Sequence, residues 1–319
     1  MTKYPKYREL RSNGQDGAPS LNTWHIFPDP SLGRLALITP ERTRRAVQLV
    51  ESGERVNLDW TTDKPTGGCF ARGSFNHEIH KFGIAEYGLI IDDSFEYNSQ
   101  CGSQWDGLWH FAHQETGYFY GGKRVEDIIV ESGKRTGGMS AWADHGIVGR
   151  AVLLDIYKWK ADRGERYDPF TSFEITVQDL VTCAKDLKVV FEMGDILLIR
   201  SGYTYRHNNA NSEELIKAGE SKTFAGVEQS EAMLEFLHDS YFSAVAGDAP
   251  SFEVMPPQKG WFMHEYLLAC WGIPIGEFWD LEKLSETCHR KGRYDFLLSS
   301  KVINVPGGIA STPNAMAMF

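Results

Sequence analysis

Three features of this chain predict an α/β or α+β fold. Strand-like and helix-like segments alternate through its middle and C-terminal parts. No long flexible linker interrupts them, and 42% of its 319 residues are hydrophobic, ample material for a large buried core. The order from residue 149 onward reads strand, helix, strand, helix, strand. Residues 1–21 read as an irregular N-terminal extension, and residues 22–319 as one domain without an internal repeat.

The elements follow from local chemistry. In ITPERTRRAVQLVESG, Thr39 and Pro40 suit the cap and first turn of a helix and Gly53 its end. RVNLDW alternates Val56, Leu58 and Trp60 against polar positions, the pattern of a half-buried strand. IHKFGI, YGLII and GRAVLLDI are further strand runs separated by glycine-rich and polar turns. ITVQDLVTCAKDLK reads as a helix and DILLIRSG as a buried strand. EELIKAGESKTFAGVEQSEAMLEFLHDS reads as a loop into a helix, and YFSAVAGDAP as an apolar run that ends on Asp248.

Composition narrows the function classes. A formal net charge of −10 and a pI near 5.5 give a surface field that repels nucleic-acid phosphates and anionic lipid. No run of about 18 apolar residues is present and the first residues are polar, so neither a membrane span nor a secretory leader is expected. Five scattered cysteines without a Cys-x-x-Cys pair favour reduced thiols and a cytoplasmic location.

Residues able to carry chemistry fall in two clusters. The first, QCGSQWDGLWHFAH, holds Gln100, Gln104, Asp106, His110 and His113, with Asp106 and His110 spaced to converge from one helix face or a tight loop. On its own, such a pair is more often a surface pair or a hydrogen-bonded core histidine. In the second, Asp248 ends an apolar run, His264 opens HEYLLACWGIPIGE and Glu277 closes it, a set of ligand types that could aim at one cleft. Capping or salt bridging is the bland alternative for both His264 and Glu277. Trp105, Trp109 and Tyr120 lie among aromatic residues that suggest a pocket for a flat or apolar molecule. Arg200, at the end of DILLIRSG, could pair with a substrate carboxylate or form an ordinary salt bridge.

Together the clusters resemble the cyclase family that includes bacterial-type kynurenine formamidases. Its signature, His-x-Gly-Thr-His-x-Asp-x-Pro-x-His, aligns with Gln100 and Gln104 in place of the first two histidines, Gly102 and Ser103 for Gly-Thr, and Asp106 and His110 as they stand. Its C-terminal pattern aligns with His264, Ile273-Pro274-Ile275, Glu277 and Asp280-Leu281. GDILLIRSG, GDAP and NVPGGIASTPNA look like the fungal-type branch of that family.

The resemblance implies a swivelling β/β/α arrangement of small mixed sheets packed with helices, and a homodimer. It also implies a hydrolase or cyclase that attacks an amide, lactam or lactone carbonyl of a small, aromatic or polyketide-like substrate through a divalent cation. Carried over, Asp106, Gln100, Gln104 and His110 would form the metal set, and His110, His264 and Glu277 the acid/base groups. Trp105, Trp109, Tyr120, Arg200 and Asp248 would face substrate. Two glutamines in place of imidazoles make the ligand set oxygen-rich, favouring manganese or magnesium over zinc. The same replacement leaves open a metal-free isomerase or dehydratase built on the His/Glu pair, or a non-catalytic ligand-binding protein.

Overall fold

The computed structural model describes residues 4–10, 17–66, 69–70, 72–73, 75–84, 88–129 and 138–319. Thirteen strands are found among them. They are β1 (Arg55–Asn57), β2 (Asn76–Ile84), β3 (Gly88–Glu96), β4 (Gln104–Asp106), β5 (Ile147–Leu154), β6 (Glu174–Ile175) and β7 (Ile196–Ile199), followed by β8 (Gly226–Val227), β9 (Ala244–Gly247), β10 (Ile275–Glu277), β11 (Asp295–Ser300), β12 (Ala310–Ser311) and β13 (Ala315–Met318).

Nine of these strands join in one curled mixed sheet ordered β1-β13-β11-β5-β7-β9-β10-β4-β12, and β2-β3 and β6-β8 form two small sheets. The mixed α/β class matches the sequence expectation, with one large sheet carrying the core. Strands β5, β7, β9 and β10 run parallel, and β4 returns antiparallel beside β10.

Continuous apolar runs such as ILLI and AVAG are what a strand covered on both faces requires. The pleat divides them between two cores. Ala151, Leu153, Leu198, Ala244 and Ala246 join Trp105, Trp142 and Trp279 on one face. Val152, Leu154, Leu197, Val245 and Ile275 join Leu180, Leu237 and Trp271 on the other.

The helices begin where the sequence says they should. Thr39 caps Pro40–Val47 by accepting from the Arg42 amide. Thr176 and Asp179 form a reciprocal capping box at the start of Val177–Asp186. The first helix stops at Val47, short of Gly53, because the Ser52 and Gly53 amides are drawn onto the Phe319 carbonyl and tie this segment to the C-terminal strand. EQSEAMLEFLHDS forms the expected helix, Glu231–Asp239, with an additional helix, Ser212–Ser221, ahead of it.

Within the N-terminal extension, residues 1–3 and 11–16 lie outside the described residues. The described part lies against its own chain: Tyr7 is buried between His238 and Trp271, and Tyr4 stacks on Tyr241. The β2-β3 hairpin pairs only with itself. Its register puts Ile79, Leu89, Ile91 and Phe95 on one face, each more than half exposed. Among the described residues no helix is long and apolar enough to cross a membrane, and all five cysteines are free thiols.

Arg200, just beyond β7, binds inward. Its Nε and Nη2 hold Glu282 at 2.8 and 2.7 Å and its Nη1 holds Asp155 at 2.8 Å, with Asp155 fully buried and also accepting from the Ser285 hydroxyl. Burial opposes the Asp155 charge, but His289, Arg200 and Ser285 together hold its carboxyl down to about 2. Removing one partner of such a pair strands the other, so Arg200→Met is expected to destabilise the fold by about 3–5 kcal/mol. An Asp with a depressed folded pKa contributes stability above its unfolded pKa and loses it as pH falls through the folded value. The Asp155 contribution to the parent's stability in urea denaturation should therefore be complete above pH 4 and be lost as pH drops from the ordinary 3.8 toward about 2.

Candidate active site

Strand pairing assembles the centre of the site. Strands β4 and β10 pair with Gln104 opposite Glu277 and Asp106 opposite Ile275. Residues directly opposite share a face, as do residues two apart on one strand, so Gln104, Asp106 and Glu277 project to one side. Trp105 must then point the other way, into the core. There it stacks edge-on against Trp279 and donates from Nε1 to the Ser300 hydroxyl at 2.9 Å.

Two glycines permit the close approach of these segments. A Cβ on Gly276 would lie 2.6 Å from the Ala246 methyl, and one on Gly102 would lie 2.7 Å from the Lys64 carbonyl oxygen. Ser103 anchors the same turn by accepting from the Trp60 amide and donating to the Phe278 carbonyl.

His264 arrives from a third element. It stands at the head of a π-helical turn, Glu265–Cys270, in a segment whose sequence predicts an ordinary helix. Single π turns are rare and recur at functional sites. The turn widens where Trp271 donates to the Tyr266 carbonyl, five residues back. His264 Nε2 lies 3.1 Å from Glu277 Oε1 and 3.7 Å from Asp106 Oδ2, and its Nδ1 lies 3.0 Å from Glu253 Oε2. One ligand atom from each of Asp106, His264 and Glu277 falls within 4.8 Å of the other two.

The two glutamines join this cluster as donors. Gln100 Nε2 donates to Asp106 Oδ1 at 2.5 Å, and Gln104 Nε2 to Glu277 Oε2 at 2.7 Å and Gln100 Oε1 at 2.8 Å. The Phe252 amide completes the set on Glu277 Oε1.

Burial dominates the electrostatics. It drives the Glu277 carboxyl up to about 7, reinforced by the charge of Asp106 and countered by the hydrogen bond from His264. It also opposes charge on Asp106, yet His110, His264 and the Gln100 amide keep that carboxyl below the ordinary range. For His264, burial is outweighed by Glu253, Asp106 and Glu277, and the ring is held well above the usual imidazole range. His110 is shifted the other way: burial lowers it, opposed by Asp106 and assisted by the cations of His264 and Arg72. Two histidines of one site are thus pushed apart, His264 toward imidazolium and His110 toward the neutral ring.

The cluster forms the floor of a cavity of about 440 Å³ whose walls include Phe70, Arg72, His110, Phe111, Met255 and Phe262. His110, His264, Gln100 and Glu277 all border it. The other expected substrate contacts are elsewhere. Trp105 is in the core and Arg200 is in its ion-pair knot. Asp248 accepts from the Ser201 amide and hydroxyl and the Gly202 amide, bracing the chain after β7. Trp109 and Tyr120 border a separate cavity of about 170 Å³.

Sequence reading passed over Glu253, Ser251, Arg72 and Phe70. The first two follow closely on GDAP, where an acidic residue directly after an apolar stretch was the available signal. The other two precede the hairpin, whose insertion separates them from Gln100 in sequence and not in space.

The atoms left over bear on whether a cation fits. Among the described residues, Asp106 Oδ2, Gln104 Oε1 and Glu253 Oε1 are buried without a hydrogen-bond partner. Three buried carboxyl groups share one imidazole, and unpartnered acceptor oxygens in such a place are costly unless something positive meets them. Asp106, Glu277, His264 and Gln104 suit a divalent ion that accepts oxygen and imidazole ligands.

The family model described as "Putative cyclase" matches residues 21–254. The chain belongs to this family. A crystal structure of a novel cyclase superposes with a TM-score of 0.82 at 26% identity, covering 93% of this chain and 99% of that one. Isatin hydrolase A from Ralstonia solanacearum superposes with a TM-score of 0.58 at 12% identity, over 83% of this chain and 91% of its own. Isatin hydrolase A from Labrenzia aggregata, bound to benzyl benzoate, gives 0.54 at 13% identity over 83% and 93%. The two isatin hydrolases share the fold with this cyclase-family chain. No curated protein matches it.

Against the opposing effect of burial, the Glu253 carboxylate is the neighbour that most favours the His264 cation, so Glu253→Gln should lower the pH at which that imidazole loses its proton. In chelator-treated protein, an NMR titration of the His264 ring should show the shift, and an unchanged midpoint would mean that Asp106 and Glu277 suffice.

Proposed function

We propose that this cyclase-family chain is a metal-dependent hydrolase or cyclase acting on an amide, lactam or lactone carbonyl of a small aromatic molecule. The observation that carries this reading is the buried Asp106-His264-Glu277 cluster, with unpartnered acceptor oxygens, at the base of a cavity walled by Phe70, Phe111 and Phe262. A cavity of that volume suits a one- or two-ring compound. The fold shared with isatin hydrolases supports the choice of an aromatic carbonyl substrate.

Asp106, His264, Glu277 and the Gln104 amide oxygen would hold the ion. When bound, a divalent cation polarises a carbonyl oxygen and makes water ionise near neutral pH. The chain's own residues do the rest. His110, at the cavity wall and kept neutral, accepts a proton at an imidazole nitrogen and returns it to the leaving group. Glu253 fixes the His264 ring through Nδ1, the role outer carboxylates play behind histidine ligands. Gln100 orients Asp106 so that Oδ2 faces the cluster, and the phenylalanine walls exclude bulk water from the reacting carbonyl. To serve as a ligand the His264 ring would have to give up a proton that its carboxylate neighbours favour, so cation affinity should rise with pH.

One observation favours a second reading, a metal-free isomerase or dehydratase. Gln100 and Gln104 already close a hydrogen-bonded chain from Asp106 to Glu277, which leaves the His264-Glu277 contact as an acid/base pair without any ion. Chelation separates the two. With a panel of aryl amides, lactams and lactones, isatin among them, turnover should fall on exhaustive chelation and return better with manganese or magnesium than with zinc. His110→Ala and Glu277→Gln should each lower kcat by about 10²–10⁴ while His110→Ala melts within a few degrees of the parent. Gln100→His with Gln104→His should tighten zinc binding in a calorimetric titration. Full activity in chelated protein would transfer the assignment to the metal-free pair.

For the assembly we propose a cytoplasmic homodimer seated on the β2-β3 hairpin. A two-stranded sheet is marginal by itself, and its face of Ile79, Leu89, Ile91 and Phe95 needs cover. That face carries Lys81 on one strand and, on the other, Asp93, whose carboxylate lies 2.8 Å from His77 Nε2 of the same hairpin. A two-fold stack that sets Lys81 against the second copy's Asp93 would be self-complementary. Sedimentation at micromolar concentration should give twice the 36.0 kDa chain mass, and Ile79→Asp with Leu89→Asp should give the single chain. A parent protein that sediments as one chain would remove the assignment.

A further inference from the structure

Three arginines outside the cavity are each tied to two carboxylates. Arg200 is held by two carboxylates, Arg150 by Asp195 and Asp295, and Arg206 by Asp168 and Glu214. Arg72 borders the main cavity, and among the described residues no carboxylate lies within 4.0 Å of it. Among the described residues its hydrogen bonding amounts to one long contact, Nη1 to the Gln100 carbonyl oxygen at 3.4 Å, and its guanidinium sits 5.4 Å from the Phe70 ring centroid. The aromatic face and the carbonyl hold the planar fork in place, and most of its five N–H groups remain for another acceptor.

The surroundings identify that acceptor. The floor of the cavity is acidic, bordered by the buried carboxyls of Glu253 and Glu277 with Asp106 behind Gln100. A cationic substrate would be drawn to the floor and would find no reason for an arginine at the wall. A flat substrate with its own carboxylate would place that group on Arg72 and lay its ring between Phe70, Phe111 and Phe262. Its reactive carbonyl would then face Glu277 and His264.

We propose that Arg72 is the anion subsite of this cavity, and that the ligand class is an aromatic carboxylate held by a two-pronged guanidinium contact. This rests on the cavity being the active site, and takes from the reading above only that its occupant is aromatic. Arg72 acts on position and selectivity: it carries no proton and touches no reacting bond.

The test uses benzoate and its neutral isostere benzamide, titrated calorimetrically into the full-length protein, as purified and after chelation, so that a carboxylate bound to an ion is told apart from one bound to Arg72. Benzoate should bind about ten- to a hundredfold tighter than benzamide in both preparations, the range expected for a charge-assisted pair in a partly buried site. Arg72→Met should bring benzoate down to the level of benzamide and leave benzamide unchanged. Arg72→Lys, which keeps the charge and loses the fork, should fall between. A melting curve for each variant guards against misfolding. Equal binding of the two probes by the parent, discrimination that disappears on chelation, or discrimination that survives Arg72→Met would each overturn the proposal. Because no turnover is read, a protein without hydrolase activity but with intact discrimination would sink the proposed reaction and leave the subsite standing.

Discussion

The antiparallel pairing of β4 with β10 is the constraint on which the rest of the site depends. Its register sets Gln104 against Glu277, and the pleat then places Asp106 on the same side and Trp105 on the other. A slip of one residue would bury Asp106 and Gln104 in the apolar core and turn Trp105 into the cavity. That slip is opposed from both sides, by the Trp105-Trp279 contact in one core and by the amide-carboxylate bonds in the other. Packing on one face of the sheet therefore fixes polar geometry on the opposite face.

Once the carboxyls are aligned, desolvation becomes the organising force. Asp106, Glu253 and Glu277 are removed from water within one small volume, and each neighbour answers that removal. The His264 ring is pushed toward its protonated form between them, two glutamine amides donate to them, and Asp106 Oδ2 and Glu253 Oε1 have no hydrogen-bond partner among the described residues. His110, at the edge of the same field, responds in the opposite sense because burial lowers it, with the cations of His264 and Arg72 adding to that effect against the one carboxylate of Asp106. The divergence of the two imidazoles arises from position and not from residue type.

The glutamines at 100 and 104 show how an altered signature can keep its architecture. In family members with the full signature these positions are imidazoles; here they are amides whose nitrogens bind the carboxylates and whose side chains fill the same strand and turn positions. Gly102 and Ser103, at the Gly-Thr positions of the signature, hold the turn by steric fit and hydrogen bonding. The backbone framework is therefore separable from the ligand chemistry mounted on it.

By itself the sequence determined the elements and the two clusters. Caps, turn residues and apolar runs are encoded over a few neighbouring residues, which is why Thr39, Thr176, ILLI and AVAG can be read directly. The family signature brought Asp106, His110, His264 and Glu277 to attention as one set. Only the tertiary structure decided which neighbours share their space. Arg200 follows a buried strand in both readings, but its guanidinium turns to Asp155 and Glu282, whose proximity depends on how the helix after Leu281 packs. Arg72 and Glu253 reach the cavity through chain crossings no local pattern records. Trp105 is adjacent to Asp106 in sequence and on the opposite side of a sheet in space. Side-chain direction in a strand alternates, and the sign of that alternation is set by which strand pairs with which.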